Sequence, residues 1–262
     1  CPVSQYRSWI FVCAGLAAGL FAQIGQAGTL QLTLYLDIDA RQFLNASHQS
    51  ILIVVPNPAS EADNTVIALT LPPPIADSMK LIIEPDSSLY IANGTVSSVD
   101  VINMGLITSV LYGNAYSFNG VQINGDGKSK DGTVGIYYEA PSNSQPLITG
   151  LALFMYDSAS GKPSAPSPIN TFTLNRFQSR YISQPASIIW VLVGSDISNG
   201  SVIPTGVFKS ATSYSTYSNT SPRTRSTFQL SRYLEVTFNA QNQASIHFDT
   251  SVNAFAPGPY PN

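Results

Sequence analysis

The chain has 262 residues, of which only 10% are charged, and a formal net charge of −3 at pH 7. A chain of this length can bury a substantial core without disulfides or metals, and the lack of a basic excess argues against nucleic-acid binding. The polar surface comes instead from 34 Ser, 18 Thr and 17 Asn, a balance that favours an extracellular β protein.

The N-terminal segment has the pattern of a secretory signal peptide. Arg7 precedes the apolar run 9–21, and the small residues Gly25 and Ala27 follow, so cleavage is expected to leave Gly28 as the mature N-terminus. The alternative is a retained membrane anchor or a buried helix, because the apolar part approaches the length of a bilayer span. Membrane contact is expected only in that second case.

Both cysteines, Cys1 and Cys13, lie in this leading segment. The predicted mature protein therefore has no thiol for a disulfide, a zinc site or a cysteine nucleophile. The only histidines are His48 and His247, and no H-E-x-x-H or C-x-x-C motif is present. We expect no cofactor.

The first predicted strand is 29–39, where leucine and isoleucine alternate with polar side chains that include Gln31, Thr33 and Tyr35. This period of two indicates a half-buried strand. Asp39 is then predicted to cap a short helix over 40–48.

Short apolar or β-branched segments separated by turn signals such as Pro85-Asp86 occupy the rest of the chain. They predict an all-β fold, an antiparallel β-sandwich of jelly-roll or immunoglobulin-like type, as one large or two small sandwiches. The further predicted strands are 51–55, 65–71, 79–84, 88–92, 95–103, 106–112, 116–123, 133–139, 147–156, 169–174, 186–193, 202–208, 212–217, 227–238 and 244–248.

The predicted organisation has four parts. A signal peptide, 1–27, precedes a β-rich domain, 28–157. Residues 158–169, rich in Pro and Ser, form a linker or a surface loop, and 170–262 form a second β-rich domain or the second half of one sandwich. The proline-rich tail 255–262 is expected to lie outside any sheet.

The sequence offers residues for two catalytic arrangements. Ser245, His247 and Asp249 share one strand face, but alternate residues there are roughly 7 Å apart, and the polar face of an ordinary strand is the favoured interpretation. A secreted carbohydrate-active hydrolase would instead need a carboxylate pair held across a cleft. The available carboxylates are Asp37, Asp39, Glu84, Asp86, Glu139, Asp157 and Glu235.

The segment 209–232 alternates Ser and Thr with Ala and Tyr. It is interpreted as a solvated edge hairpin, and the alternative is the membrane-inserting hairpin of a β-pore-forming protein. Exposed tyrosines suit glycan stacking or protein contact. The predicted binding residues are Tyr214, Tyr217, Arg223 and Arg225.

Four N-glycosylation sequons are present, a number close to chance for this composition. Their acceptors are Asn45, Asn93, Asn199 and Asn219.

With no catalytic motif and few ionisable groups, the favoured function is non-enzymatic. The prediction is a secreted or cell-surface β-rich protein that binds a glycan or another protein, or that assembles into a surface structure. Self-assembly could use strand exchange through the segment 29–39. The carbohydrate-active hydrolase and the pore-forming protein remain the alternatives.

Overall fold

The computed structural model describes residues 28–56, 64–92, 101–210, 214–218 and 221–262, and between 209 and 228 it describes the backbone only. The predicted signal peptide lies outside these residues. Within them the chain is all-β, with many short strands and two short helices. The predicted fold class is confirmed at this level.

The helices are α1 (Ile38–Ala46) and α2 (Thr205–Ser210). The strands are β1 (Leu30–Tyr35), β2 (Ser50–Val54), β3 (Asn64–Val66), β4 (Leu69–Leu71), β5 (Met79–Ala92), β6 (Met104–Ser109), β7 (Asn114–Phe118), β8 (Ile123–Lys128), β9 (Thr133–Tyr138), β10 (Leu147–Asp157), β11 (Ser167–Pro168), β12 (Phe172–Leu174), β13 (Ser179–Ser183), β14 (Ile188–Gly194), β15 (Val202–Pro204), β16 (Tyr214–Ser218), β17 (Ser221–Phe228), β18 (Leu234–Thr237), β19 (Gln243–Asp249) and β20 (Ala254–Pro257).

The largest sheet has eight strands. Its main order is β11-β10-β5-β1-β19-β20, with β12 paired to β10 and β6 paired to β5. Two four-stranded sheets have the orders β13-β9-β7-β8 and β18-β14-β2-β4. The large sheet therefore pairs an early strand, β1, with a late one, β19, and β2 likewise pairs with the late strand β14.

The three larger sheets contribute side chains to one central core. Leu32 and Leu34 come from the large sheet, Ile53 comes from β2, and Val134 and Ile136 come from β9. Two smaller clusters cover outer faces. One joins Tyr90 of β5 to Val66 and Val202 of the β3–β15 pair, and the other packs Phe208 of α2 against the β2–β14 pair.

The start of the chain differs from the prediction by a few residues. The strand predicted over 29–39 ends at Tyr35, and the helix begins at Ile38 rather than at residue 40. Asp37, not Asp39, is the N-cap, because its carboxylate accepts a hydrogen bond from the Ala40 backbone N–H at 2.7 Å. The sequence offered two aspartates, and only the first lies where the chain changes direction.

The predicted turn at Pro85-Asp86 is wrong, because β5 runs through it as one strand of 14 residues. Proline lacks an N–H and is excluded where a ladder hydrogen bond is needed. Here β1 pairs with β5 only as far as Ile83, and the β10 register shifts between Leu153 and Met155. Pro85 therefore lies where neither neighbour requires a donor.

The tail prediction is also wrong in part. Ala254–Pro257 forms β20, which pairs antiparallel with β19. Because β20 is the last strand of the large sheet, its outer edge needs no ladder hydrogen bonds, and proline is tolerated there.

The two faces of β1 make a direct stability test possible. Leu32 is completely buried, whereas Thr33 points to the opposite face and is half-buried. We expect Leu32→Ala to lower the free energy of unfolding by about 2 to 5 kcal/mol. Thr33→Ala, the matched control, should change it by less than about 1 kcal/mol. Urea unfolding measures both, and equal effects would contradict the assignment of faces.

A buried tyrosine gives a pH prediction. Tyr90 is fully buried, its hydroxyl donates to the Asn170 carbonyl oxygen at 2.7 Å, and burial raises the pKa of the hydroxyl well above its usual value of 10. The free energy of unfolding that the protonated Tyr90 hydroxyl contributes is complete below pH 10. It is lost as the pH rises further, because only the unfolded chain then releases the proton.

We expect Tyr90→Phe to reduce stability at pH 7 by about 1 kcal/mol. Above pH 10 the variant should lose stability with pH less steeply than the wild type, by about 1.4 kcal/mol per pH unit. Urea unfolding between pH 7 and pH 11 measures this. Parallel curves for the two proteins would contradict the assignment.

Candidate functional site

The candidate site is the outer face of the large sheet where β1 lies between β5 and β19. β1 pairs antiparallel with β5 and parallel with β19. Because β1 alternates buried and solvent-facing residues, its leucines enter the central core and its polar side chains form the outer face. The same holds for β19, in which Ile246 and Phe248 are buried and Ser245 faces outward.

The parallel register places similar polar residues beside one another. Gln31 pairs with Gln243, Thr33 with Ser245, and Tyr35 with His247. Lys80 of β5 lies on the other side of Thr33. Cross-strand neighbours on one face lie close enough to act together, so the register creates a continuous polar surface.

This surface encloses a groove with a volume of about 290 Å³. Its lining is polar, and Lys80 is the one charged side chain in it. The lining residues are Gln31, Thr33, Tyr35, Lys80, Asn239, Gln243, Ala244 and Ser245.

Most of the groove's hydrogen-bonding capacity is unused. Within the described part of the chain, the structure records no side-chain hydrogen bond for Gln31, Thr33, Gln243 or Ser245, and none for the Lys80 ammonium or the Tyr35 hydroxyl. An amide side chain offers two donors and one carbonyl acceptor, and a hydroxyl offers one donor and two acceptor lone pairs. The groove can therefore bind a ligand rich in hydroxyl groups.

Residues near the C-terminus pack against His247, which lies beside Tyr35 at one end of the groove. Tyr260 contacts the His247 ring, with 4.7 Å between ring centroids. Its hydroxyl donates to the Phe248 carbonyl oxygen at 2.9 Å and accepts from the Asp37 N–H at 3.2 Å. Partial burial is the main cause that raises the pKa of the Tyr260 hydroxyl above its usual value of 10.

The histidine tautomer follows from its partner. His247 Nδ1 lies 3.0 Å from the Gly258 carbonyl oxygen. Because a carbonyl oxygen can only accept, Nδ1 carries the proton, and in the neutral ring Nε2 is left as an acceptor.

The residues Ser245, His247 and Asp249 share the outer face of β19 but do not form a triad. His247 Nδ1 bonds to Gly258, while the Asp249 carboxylate accepts from the Ser251 N–H at 2.9 Å and from its hydroxyl at 2.6 Å. These two bonds are the main causes that lower the pKa of Asp249. The polar-face interpretation agrees with this geometry.

Five of the seven predicted hydrolase carboxylates have separate local partners. Asp37 caps α1, Glu84 pairs with Lys162, Glu139 accepts from the Ser117 hydroxyl, and Glu235 accepts from the Trp190 indole N–H. Asp157 accepts from the Ala159 N–H in a turn. Asp39 and Asp86 are exposed, on α1 and β5 respectively. The groove lining contains none of these carboxylates.

The predicted binding residues lie on the hairpin β16–β17. The backbone register pairs Tyr217 with Arg225 and Tyr214 with Phe228, and Arg223 lies on the same β17 strand. The two strands pair only with each other in the described chain. The side chains of Tyr214, Tyr217, Arg223 and Arg225 lie outside the description, so their role, and the pore-forming alternative, stay predictions.

The four sequons differ in what the structure says of them. Asn45 in α1 donates to the Ile75 carbonyl oxygen at 3.0 Å and accepts from the Ile75 N–H at 2.7 Å. Asn199 is exposed, and only its oxygen has a recorded bond, accepted from the Thr70 N–H. Asn93 and Asn219 lie outside the described residues. Glycosylation at any of them remains a prediction.

The described residues contain neither a metal-binding cluster nor a membrane-spanning helix. They contain no group of three or more His, Cys, Asp or Glu side chains placed to hold a metal ion. Among them, no helix combines the length and the hydrophobicity needed to span a bilayer.

Comparisons with protein-family models, with curated proteins and with solved structures found no match. The groove therefore carries the functional argument alone. The sequence predicted the polar face of the first strand, with Gln31, Thr33 and Tyr35, but no binding role for it, and the predicted binding residues lie on β16 and β17 instead. Lys80, Gln243 and Tyr260 were not predicted to lie beside that face, because no local pattern indicates that β19 lies parallel to β1.

Substitutions of Asp37 test whether this residue stabilises the protein as the N-cap of α1. We expect Asp37→Ala to lower the free energy of unfolding by about 1 kcal/mol, because the Ala40 N–H loses its acceptor. Asp37→Asn should retain most of the stability, since asparagine caps helices equally well. Asp39→Ala serves as the control in the first turn. Thermal unfolding measures all three, and a large loss in the asparagine variant would contradict a capping role.

Proposed function

We propose that this chain is an exported, non-enzymatic β protein that binds a neutral glycan in the groove over β1 and β19. The observation that carries the proposal is the set of polar side chains in the groove, Gln31, Thr33, Gln243 and Ser245, that have no recorded partner within the described chain. Amide and hydroxyl groups that converge on one groove match the hydroxyl groups of a sugar.

The scarcity of charged side chains supports a neutral ligand. Lys80 is the one charged lining residue, and the whole chain is only 10% charged. An acidic or basic polymer would meet little complementary potential on such a surface. The polar, hydroxyl-rich composition also supports the proposed secreted or cell-surface location.

The proposed architecture is a sandwich-like packing of the large sheet on the two four-stranded sheets. Its support is the shared central core, to which the inward faces of β1, β2 and β9 all contribute. Strand exchange through β1 stays a prediction. In this structure both edges of β1 already pair within the chain, with β5 and β19.

The proposal predicts selective binding to neutral polysaccharides. The measurement is affinity electrophoresis of the protein against glucans, mannans, xylans and galactans, with polygalacturonate and alginate as acidic comparisons. We expect retardation by at least one neutral polymer. We further expect Thr33→Ala and Gln243→Ala each to weaken that binding by about threefold to tenfold, the loss of one or two hydrogen bonds.

Thr173→Ala is the matched control, because Thr173 is an exposed threonine on β12 of the same sheet, outside the groove lining. It should bind as the wild type does. Binding by none of the neutral polymers, or equal binding by the wild type, Thr33→Ala and Gln243→Ala, would overturn the proposal.

A further inference from the structure

The outer face of the large sheet continues beyond the groove toward β10. Along one row of the register, Gln243 pairs with Gln31, Gln31 with Ile82, and Ile82 with Tyr156. Neighbouring strands lie about 4.8 Å apart, so the row spans about 14 Å across three strand spacings. Its character changes along the way, from two amides to an aliphatic side chain and then an aromatic ring.

Ile82 and Tyr156 face outward on this row. Leu81 and Ile83 on either side of Ile82 are buried in the central core, as is Met155 beside Tyr156. Ile82 and Tyr156 themselves are half-buried. The row therefore ends in an apolar surface that solvent can reach, adjacent to the polar groove.

The ring of Tyr156 is held in place by its hydroxyl, which donates to Glu84 Oε1 at 3.0 Å. Lys162 Nζ forms an ion pair with Glu84 Oε2 at 2.5 Å and lies 4.1 Å from the centroid of the Phe154 ring. The negative charge of Glu84 is therefore balanced locally. This end of the row offers a positioned aromatic ring without a net charge.

We propose that the ligand of the groove is an extended neutral oligosaccharide that lies across β19, β1, β5 and β10, and that Tyr156 and Ile82 form a second subsite for one of its sugar rings. The inference rests on the proposed function. Sugar rings have hydroxyl edges and apolar C–H faces. The amides of Gln31 and Gln243 would bind the hydroxyl edges of one sugar ring, and the Tyr156 ring would pack against the C–H face of another. An aromatic side chain with a tethered polar tip contributes contact area at low entropic cost.

The length of the row distinguishes this ligand from a monosaccharide. A single sugar ring bound at Gln31 and Gln243 would leave the Tyr156 end, two strand spacings beyond Gln31, without contact. Affinity should therefore rise with chain length until both subsites are filled and then stay constant.

The experiment is isothermal titration of the full chain with oligomers of one to six sugar units, prepared from the neutral polysaccharide that binds most strongly. We expect the hexamer to bind at least tenfold more tightly than the monomer. Tyr156→Ala should weaken hexamer binding by about tenfold and leave the affinity for the shortest oligomer that binds unchanged. Tyr156→Phe, which keeps the ring and loses only the bond to Glu84, should retain most of the hexamer affinity.

The outcomes separate the two proposals. If no neutral saccharide binds, or if one binds but Thr33→Ala and Gln243→Ala have no effect on it, the proposed function fails, and this inference fails with it. If oligomers bind but the affinity is independent of length, or if Tyr156→Ala changes nothing, the groove stands and the second subsite is overturned. Urea unfolding of the wild type and of each variant identifies variants that are misfolded. Sedimentation of the folded proteins shows whether two copies pair through this sheet face. If a second copy occupies the face, the proposed function and the second subsite are both overturned.

Discussion

The insertion of β1 between β5 and β19 is the constraint on which the rest of the molecule depends. Its inward face supplies Leu32 and Leu34 to the central core, and both side chains are completely inaccessible to solvent. Its outward face supplies the polar side chains of the groove. Because the side-chain period of a strand is two, a slip of one residue would exchange these faces. The burial that stabilises the sheet therefore also sets the register of the proposed binding surface.

The outer face of the large sheet has two regions with different roles. Where β5 and β10 run on past Pro85, the β3–β15 pair covers the sheet, and Tyr90 and Ala152 form a second apolar core there. Where β5 pairs with β1, no such cluster is found in the described chain, and the outward residues of β1 and β19 are polar, with Ile82 of β5 as an apolar neighbour. A region that needed cover for stability would carry apolar residues, as the covered region does. The groove lies in this second region, and its polar lining supports the proposed contact with a ligand there.

Local patterns predicted the β class, the first strand and the short helix, because alternation and capping are properties of adjacent residues. They failed where pairing partners decide the outcome. Pro85 is predicted to lie in a turn because it has no N–H to donate. It can lie within β5 because the pairing with β1 ends at Ile83 and the register with β10 is irregular there, so no donor is required. The prolines around β20 likewise predict a tail outside any sheet. They are tolerated in a strand because β20 lies at the edge of the large sheet. The groove is hard to predict for the same reason, since the pairing of Gln31 with Gln243 joins residues from opposite ends of the chain.

Low charge then connects the composition to the proposed ligand. With few ionisable groups, long-range steering contributes little to association, and recognition depends on short-range hydrogen bonds and contact area. Each such bond is worth only about 1 kcal/mol because it replaces a bond to water. A neutral ligand must therefore make several contacts at once to bind usefully. An outer sheet face with aligned rows of amides, hydroxyls and one positioned tyrosine offers many contacts to a long ligand and few to a small one, and this difference supports the proposal of an oligosaccharide over a single sugar.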